Sequence, residues 1–280
     1  MIIDGTYIAG ALLDKLTHSI ENLRKKEIQP TLAIILVGDD PGSLSYVRQK
    51  EKAAEKIGAL VQTHRYDSRV SIQEIQSIIK KLNNSPAIHG IIIQRPLPIH
   101  LQDESLLNSI NPTKDVDGFV TGSPCEVPVA MAVDTILRSV FVQIQTSSHY
   151  NEWLTKQRIV VIGKGETAGK PIGNFFTKNG CQISLIDSIT HEEEKKRTML
   201  DADIIISCVG KKRIVQKEFV KKDTILISVG IWRDNEGKLH GDYENDEVKN
   251  WVSFYTPTPG GVGPVNVACL MENLVHAIAV

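Results

Sequence analysis

The chain has 280 residues, of which 41% are hydrophobic and 23% are charged, and its formal net charge at pH 7 is −1. This length allows one or two domains with a sizeable core, and the composition is typical of a soluble globular protein. A net charge near zero provides no overall field that would attract nucleic acid or an anionic membrane, so we expect neither as a partner.

The cysteines and the apolar runs narrow the class of protein further. The 4 cysteines are scattered without a C-x-x-C pair, which argues against a disulfide framework or a zinc site and fits a reducing cytosol. Residues 1–5 lack a basic region followed by an apolar core, and no apolar run approaches the roughly 20 residues needed to span a bilayer. We therefore expect a cytoplasmic protein without a bound metal.

The first half of the chain alternates between helical and strand-like patterns. Apolar spacing predicts helices over 8–26, 43–57 and 71–82, and strands over 31–37, 60–66 and 88–94. This β-α-β-α-β order predicts a parallel sheet covered by helices.

The second half repeats the same alternation. We predict strands over 158–162, 181–187, 203–209 and 224–229, a helix over 131–140, a polar surface loop over 143–151, and a helix after residue 169 that ends at 176 or 178. Near the C-terminus, an apolar-aromatic strand at 251–255 enters a Pro- and Gly-rich loop, and Asn266 is placed to cap a helix over 267–279. The fold class predicted is therefore α/β.

Three side chains of the first half are candidates for chemistry. Tyr46 and Lys50 lie four residues apart on a predicted helix and so share one face. A phenol can stack on a flat heterocycle, and a lysine can act as a cation or, if burial lowers its pKa, as a base. Gln94 ends a predicted strand, where open parallel sheets bind ligands. Taken alone, a solvated helix face and a strand-end cap also explain these residues.

Two acidic side chains flank Val116 in an extended segment. Asp115 and Asp117 point the same way there, because alternate side chains share a face. One carboxylate can cap a turn, and the other can accept hydrogen bonds from an amino-pyrimidine edge.

A glycine-rich loop, GKGETAG at 163–169, follows a predicted strand and precedes a predicted helix. In that setting, glycine lets the backbone approach a pyrophosphate, and the helix N-terminus favours its negative charge. Asp187 ends the next strand about 20 residues later, where an acid usually binds the ribose 2′-hydroxyl of NAD. The segment predicts a dinucleotide site.

The most distinctive segment is the loop TPTPGGVGP at 256–264. Proline fixes φ and glycine permits positive φ, so the loop is stiff and poor in side chains. It resembles the signature of the methylenetetrahydrofolate dehydrogenase/methenyltetrahydrofolate cyclohydrolase family. Three more segments resemble that family in the expected order: PGSLSYVRQK at 41–50, QRPLP at 94–98 and PTKDVDGF at 112–119.

The resemblance runs nearly end to end and implies a two-domain enzyme. It implies a folate-binding catalytic domain with a parallel α/β sheet over 1–120, completed by the C-terminal helix 265–280, and a Rossmann-like dinucleotide-binding domain over 121–264. The active site is expected in the cleft between them. Such an enzyme oxidises 5,10-methylenetetrahydrofolate to the methenyl cation and hydrolyses this to 10-formyltetrahydrofolate. A homodimer is expected.

Roles for individual residues follow from the same resemblance. The matching lysine is central to opening the methenyl ring, the glutamine tunes it, the tyrosine stacks near the pterin, and the second aspartate holds the pterin edge. Catalytic roles are thus implied for Lys50, Tyr46, Gln94 and Asp117. Substrate contacts are implied for Tyr46, Asp117, Pro259, Gly260 and Gly261. Cofactor contacts are implied for Gly163, Lys164, Gly165, Gly169, Asp187, Ser188, Gly210 and Ile231.

The choice between NADP and NAD is where the resemblance and the residue chemistry differ. The family usually has an arginine in the glycine loop for a 2′-phosphate, and this chain has Lys164 instead. Ile189 replaces a residue that is often basic, and Asp187 would repel a 2′-phosphate, although Ser188 and Lys164 could still hold one. The family resemblance predicts NADP, and the local chemistry leaves NAD open.

Other hypotheses stay open on the sequence. Arg95 stands where the family usually has an apolar residue, and the segment between Phe119 and Cys125 is shorter than usual. A monofunctional NAD-dependent methylenetetrahydrofolate dehydrogenase is disfavoured by the retention of Lys50 and Gln94. A dehydrogenase of amino or hydroxy acids would not need Tyr46 and Gln94 together with the 256–264 loop. A non-catalytic dinucleotide-binding protein would be recognised by binding without folate turnover.

Overall fold

The structure is a computed structural model that describes residues 1–144 and 147–279. The chain forms two compact units, one made of Gly10–Pro128 with Val267 onward, and the other of Met1–Ala9 with Val129–Asn266. We predict that residues 1–120 with 265–280 bind the folate and that residues 121–264 bind the dinucleotide. The boundaries of the units do not test ligand binding, so this assignment stays a prediction.

The unit built on Gly10–Pro128 contains a three-stranded parallel sheet in the order β2–β1–β3. The strands are β1 (Thr31–Val37), β2 (Leu60–Tyr66) and β3 (Gly90–Ile93). The helices are α1 (Gly5–Arg24, which begins in the other unit), α2 (Pro41–Ile57), α3 (Ile72–Asn84) and α4 (Glu104–Leu107), with 3₁₀ turns at Ile99–Leu101 and Pro112–Lys114. All of β1 is buried because it is the central strand.

The bounds of helix α2 follow from its sequence. The Asp40 carboxylate accepts a hydrogen bond from the Ser43 N–H at 2.7 Å, and Pro41 occupies the first turn, where no N–H is needed. Gly58 ends the helix in the left-handed conformation with φ 81°. These caps fix where the helix begins and ends.

The unit built on Val129–Asn266 contains a five-stranded parallel sheet in the order β10–β7–β6–β4–β5. Its strands are β4 (Ile159–Ile162), β5 (Ile183–Ile186), β6 (Ile204–Ser207), β7 (Ile225–Ser228) and β10 (Phe254–Tyr255), and a hairpin pairs β8 (Trp232–Arg233) with β9 (Leu239–His240). The helices are α5 (Pro128–Ile144), α6 (Tyr150–Thr155), α7 (Gly169–Lys178), α8 (Glu192–Asp201), α9 (Asn245–Val248) and α10 (Val262–Ala279), with a 3₁₀ turn at Lys217–Phe219. Helices α5 and α10 each have residues in both units.

Each parallel sheet reverses its strand order next to a central strand. The chain moves from β4 to β5 on one side and then to β6 and β7 on the other. Likewise, β2 and β3 lie on opposite sides of β1. Such reversals open a crevice at the carboxyl ends of the strands, where open α/β sheets bind ligands.

The predicted loop over 143–151 is wrong in part. Helix α5 continues to Ile144 and helix α6 begins at Tyr150, while residues 145–146 lie outside the described residues. Aromatic packing overrides the polar composition there, since the Phe141 ring lies 5.6 Å from that of Tyr150 and 5.5 Å from that of Trp153.

The predicted cap at Asn266 is also wrong. Helix α10 begins at Val262, so Asn266 lies inside the helix and the last residues of the Pro/Gly segment are helical. Pro264 is tolerated because it lies in the first turn, where its missing N–H has no helical partner.

Candidate active site

Lys50 of helix α2 and Gln94, directly after strand β3, form a buried pair. The Lys50 Nζ donates a hydrogen bond to the Gln94 Oε1 at 2.8 Å, and the two residues are only 9% and 8% exposed. The Gln94 backbone N–H donates to the Ile35 carbonyl at 2.9 Å, and its Nε2 donates to the Arg95 carbonyl at 2.7 Å. The amide is thus held with its oxygen towards the lysine.

The surroundings of Lys50 favour its neutral form. Burial lowers the pKa of Lys50, and the nearby charge of Asp117 raises it by a smaller amount, so that the pKa lies below the ordinary lysine value. A lysine with a lowered pKa exchanges protons more readily near neutral pH. Tyr46 lies one helical turn before Lys50 and is partly buried, as the four-residue spacing predicts.

The two aspartates of the 112–119 segment have different roles in the structure. The Asp115 carboxylate accepts hydrogen bonds from three backbone N–H groups, those of Asp117 at 3.2 Å, Gly118 at 3.1 Å and Val120 at 2.8 Å. Asp115 therefore caps the turn. The Asp117 carboxylate receives no hydrogen bond from the described residues, so its acceptor positions remain available.

The ionisation of Asp117 depends on its charged neighbours. Burial raises the pKa of Asp117 above the ordinary carboxylate value, while the charges of Lys50 and Arg95 lower it and that of Asp115 raises it. The Arg95 guanidinium carbon lies 4.2 Å from the centre of the Phe119 ring. Arg95 is thus a second cation in the environment of Asp117.

Sequence reasoning missed Asn273, which supports this turn from helix α10. The buried Asn273 Nδ2 donates to the Val116 carbonyl at 2.8 Å and to the Glu126 carbonyl at 2.9 Å. The available signal was an amide side chain at a position of an apolar helix where a hydrophobic residue is expected. Its partners, 157 and 147 residues away in sequence, could not be inferred from the pattern.

The glycine loop of the other unit has the form expected for a dinucleotide site. It joins strand β4 to helix α7, and Gly163 has φ 97°. A Cβ on Gly169 would lie 1.8 Å from the Gly163 carbonyl oxygen, so the loop packs tightly on the helix start. A Cβ on Gly165 would meet nothing within 4 Å, which leaves open space beside the backbone. The loop can therefore admit a phosphate next to its amides.

Lys164 and Asp187 form an ion pair. The Lys164 Nζ lies 3.0 Å from the Asp187 Oδ2, and this contact is the main reason that the pKa of Asp187 lies below its ordinary value. The Asp187 Oδ1 also accepts hydrogen bonds from the N–H groups of Ile189 at 3.1 Å and Thr190 at 3.2 Å. Ser188 is exposed between them. The charge of Asp187 is thus partly neutralised by the basic residue of the glycine loop.

Gly210 and Ile231 lie against each other after strands β6 and β7. Gly210 has φ 70°, and a Cβ there would lie 2.8 Å from the Ile231 carbonyl oxygen. Both residues lie at the carboxyl edge of the sheet, as do the glycine loop and Asp187. These residues fit a dinucleotide, because backbone amides, the open glycine Gly165 and a ribose-type carboxylate share one edge.

The Pro/Gly loop is held by close backbone contacts within the same unit. Gly260 has φ 95°, and a Cβ on Gly261 would lie 2.4 Å from the Pro257 carbonyl oxygen. The Thr258–Pro259 peptide bond is cis. Contact of Pro259, Gly260 and Gly261 with a substrate stays a prediction.

Membrane spans and metal clusters are absent from the described residues. Over 1–144 and 147–279, every helix is too short or too polar to cross a bilayer. The same residues contain no group of three or more His, Cys, Asp or Glu side chains arranged to hold a metal ion.

Two family models match the chain. The tetrahydrofolate dehydrogenase/cyclohydrolase catalytic domain matches residues 3–117, and the NAD(P)-binding domain of the same family matches residues 141–280. The chain belongs to this family. It is accordingly an α/β enzyme with a dehydrogenase and a cyclohydrolase activity towards tetrahydrofolate derivatives, as the sequence predicts.

Relatives in sequence and structure agree with this assignment. The bifunctional protein FolD of Streptococcus thermophilus is 38% identical over 99% of this chain and 97% of its own length, and that of Bacillus subtilis is 36% identical over 99% and 96%. The crystal structure of the Campylobacter jejuni bifunctional enzyme superposes with a TM-score of 0.92 at 30% identity, over 100% of this chain and 98% of that one. The Trypanosoma brucei dehydrogenase-cyclohydrolase, complexed with NADP and an inhibitor, has a TM-score of 0.91 at 28% identity, over 100% and 97%. These similarities do not favour a monofunctional or a non-catalytic alternative.

Proposed function

We propose that this chain oxidises 5,10-methylenetetrahydrofolate to 5,10-methenyltetrahydrofolate with NADP and hydrolyses the product to 10-formyltetrahydrofolate. The observation that carries the proposal is the buried Lys50–Gln94 pair, with 2.8 Å between Nζ and Oε1. A buried lysine with a lowered pKa is suited to proton transfer in the hydrolysis of the methenyl group. Bound NADP would supply the acceptor for the hydride that leaves the one-carbon bridge.

Lys50 transfers a proton during hydrolysis. Water adds to the methenyl carbon and gives one proton to Lys50, which leaves a neutral hydroxyl adduct. Lys50 passes this proton to the ring nitrogen whose bond to the carbon breaks, and the hydroxyl proton is released to solvent as the formyl carbonyl forms. Burial lowers the pKa of Lys50, which favours the neutral amine that this step uses. Gln94 accepts one N–H of the lysine and so orients its nitrogen. Such proton transfer contributes about 10²–10⁴-fold to a rate.

Asp117 and Tyr46 hold the folate. The Asp117 carboxylate has open acceptor positions and accepts hydrogen bonds from the pterin edge, while its neighbour Asp115 is occupied with the turn. Tyr46 is on the same face of α2 as Lys50 and stacks on the ring. Pro259, Gly260 and Gly261 complete the substrate contacts in this proposal.

The carboxyl edge of the five-stranded sheet binds the dinucleotide. Gly165 leaves space for the pyrophosphate, Gly163 and Gly169 let the loop pack closely on the start of α7, and Gly210 with Ile231 lies beside the same edge. NADP is the cofactor we propose, supported by the T. brucei relative that was crystallised with it. Pairing with Lys164 reduces the repulsion that Asp187 would exert on a 2′-phosphate, and Ser188 offers a hydroxyl.

One assay tests this function most directly. Purified protein is given methylenetetrahydrofolate with NADP and, separately, with NAD, and formation of methenyltetrahydrofolate is followed spectrophotometrically. We expect turnover with a higher kcat/KM for NADP, followed by hydrolysis when methenyltetrahydrofolate is supplied alone. Binding of NADPH without turnover of either folate would instead indicate a non-catalytic dinucleotide-binding protein.

The proposal includes a cytoplasmic location and a homodimer. Cys125, Cys181, Cys208 and Cys269 are not joined by disulfide bonds, as is usual in a reducing compartment. The homodimer rests on the family resemblance. Light scattering coupled to size-exclusion chromatography measures it, and the mass of one chain would contradict it.

A further inference from the structure

Asp242 carries a fully buried carboxylate outside the residues considered so far. It is 0% exposed and accepts three hydrogen bonds. The Ser207 hydroxyl donates to Oδ2 at 2.6 Å, the Val209 N–H donates to Oδ2 at 2.9 Å, and the Lys211 N–H donates to Oδ1 at 3.0 Å. A buried carboxylate is tolerated when donors satisfy it in this way.

The donors share a position at the carboxyl end of strand β6. Ser207 is the last residue of that strand, and the other two donors are in the loop that follows. Asp242 also joins the neighbouring strand, because its own N–H donates to the Ser228 hydroxyl, at the end of β7, at 2.9 Å. One residue thus connects the two segments that leave β6 and β7.

This connection holds the two residues predicted to contact the cofactor. The amides bound by Asp242 belong to the residues on either side of Gly210. A Cβ on Gly230 would lie 2.3 Å from both the Asp242 Oδ2 and the Gly210 nitrogen, so the loops meet at the carboxylate without room for a side chain. Ile231 follows directly, and its carbonyl lies over Gly210.

We propose that Asp242 is a positioning residue of the dehydrogenase half of the enzyme. Its carboxylate sets the backbone of 208–211 against that of 230–231 and so shapes the edge that receives the dinucleotide. The inference rests on the proposed contact of Gly210 and Ile231 with the cofactor. Hydrolysis of methenyltetrahydrofolate needs no dinucleotide, and it should not depend on Asp242.

Both oxygens of the Asp242 side chain are needed, because together they accept all three hydrogen bonds. An asparagine has one acceptor oxygen and an NH₂ group, which would face a backbone N–H or the Ser207 hydroxyl. Asp242→Asn therefore keeps the shape of the side chain but breaks at least one hydrogen bond. The loop around Gly210 should move as a result.

The test compares the two activities of Asp242→Asn with those of the wild type. We expect the Kd for NADPH, followed by its fluorescence, and the KM for NADP to rise about tenfold or more, with methenyltetrahydrofolate hydrolysis within about twofold of wild type. Asp203→Asn is the matched control. Asp203 lies before β6, at the opposite end, where it accepts the Arg158 N–H at 2.9 Å and pairs with Lys221. That variant should lose thermal stability and keep its NADPH affinity.

A second variant covers the case in which Asp242→Asn does not fold. Ser207→Ala removes one donor and leaves the two backbone hydrogen bonds, so a smaller rise of about two- to fivefold in the Kd for NADPH is expected. Unchanged NADPH affinity in whichever variant folds, or an equal loss of both activities, would overturn the inference. A wild-type chain that binds no NADPH would overturn the proposed function, and this inference with it.

Discussion

The two candidate binding regions differ in composition: one is formed by side chains and the other mainly by backbone. Around helix α2 and strand β3, the site consists of side chains. The pKa values of the buried Lys50 and of Asp117 depend on each other, and the Gln94 amide binds Lys50. At the carboxyl edge of the five-stranded sheet, the site is mainly backbone, with glycines at tight contacts and a buried carboxylate beneath. Side-chain substitutions should therefore have large effects in the first region and graded effects in the second.

The largest effect is expected from Lys50→Met, which keeps the aliphatic stem and removes the amine. Cyclohydrolase activity should fall by about 10²–10⁴-fold, because the proton-transfer group is lost, while NADPH binding is retained. Lys52→Met is the matched control, since Lys52 is exposed on the same helix. Wild-type hydrolysis in Lys50→Met, with the fold confirmed by circular dichroism, would remove Lys50 from the mechanism.

The next effect is expected from Asp117→Ala in the same region. Loss of a charged hydrogen-bond acceptor costs about 1.5–3 kcal/mol, so the KM for the folate should rise by roughly one to two orders of magnitude without a change in NADPH affinity. Asp117→Asn keeps an acceptor oxygen and should lie between Asp117→Ala and wild type. An unchanged KM and kcat in Asp117→Ala would show that Asp117 only forms part of the turn.

In the dinucleotide region, the Lys164–Asp187 pair should produce smaller and opposite effects. Asp187→Ser removes repulsion of a 2′-phosphate and an acceptor for a 2′-hydroxyl, so the ratio of kcat/KM for NADP to that for NAD should increase. Lys164→Ala should decrease it. Lys164 is half exposed, and exposed ion pairs contribute at most about 1 kcal/mol, so shifts of several-fold are expected. If both variants keep the wild-type ratio, neither residue reaches the adenosine ribose.

The smallest effect concerns the charge of Arg95. The Arg95 guanidinium lowers the pKa of Asp117, so Arg95→Leu should raise that pKa further above the ordinary value. Asp117 then becomes protonated at a higher pH, and the KM for the folate should begin to rise earlier as the pH falls. At alkaline pH, the variant and the wild type should agree. When the KM for the folate is plotted against pH, the pH at which it begins to rise should be higher in the variant, by less than about one pH unit.

Arg95→Lys separates charge from stacking in this prediction. It keeps the cation but replaces the planar group that lies 4.2 Å from the Phe119 ring. The acid limb of the pH profile should return towards wild type if the charge matters. An acid limb that is the same in all three proteins would show that Arg95 acts on the ring alone.

The contrast between the regions also explains what could be predicted from the sequence. The family resemblance predicted the side chains of the first region, and the four-residue spacing placed Tyr46 and Lys50 on one helix face. They did not identify Asp242, because its donors lie 31 to 35 residues away and belong to another segment. Backbone-based sites depend on such support, and local patterns carry no signal for it.

The sequence by itself determined the alternation of helices and strands and the glycine loop after β4, because these depend on neighbours within a few residues. Tertiary structure decided the rest. It placed Gln94 on Lys50 across 44 residues and Asn273 on the Val116 carbonyl across 157 residues. Each of these contacts is a hydrogen bond between buried residues of distant segments, which exists only once the chain has folded.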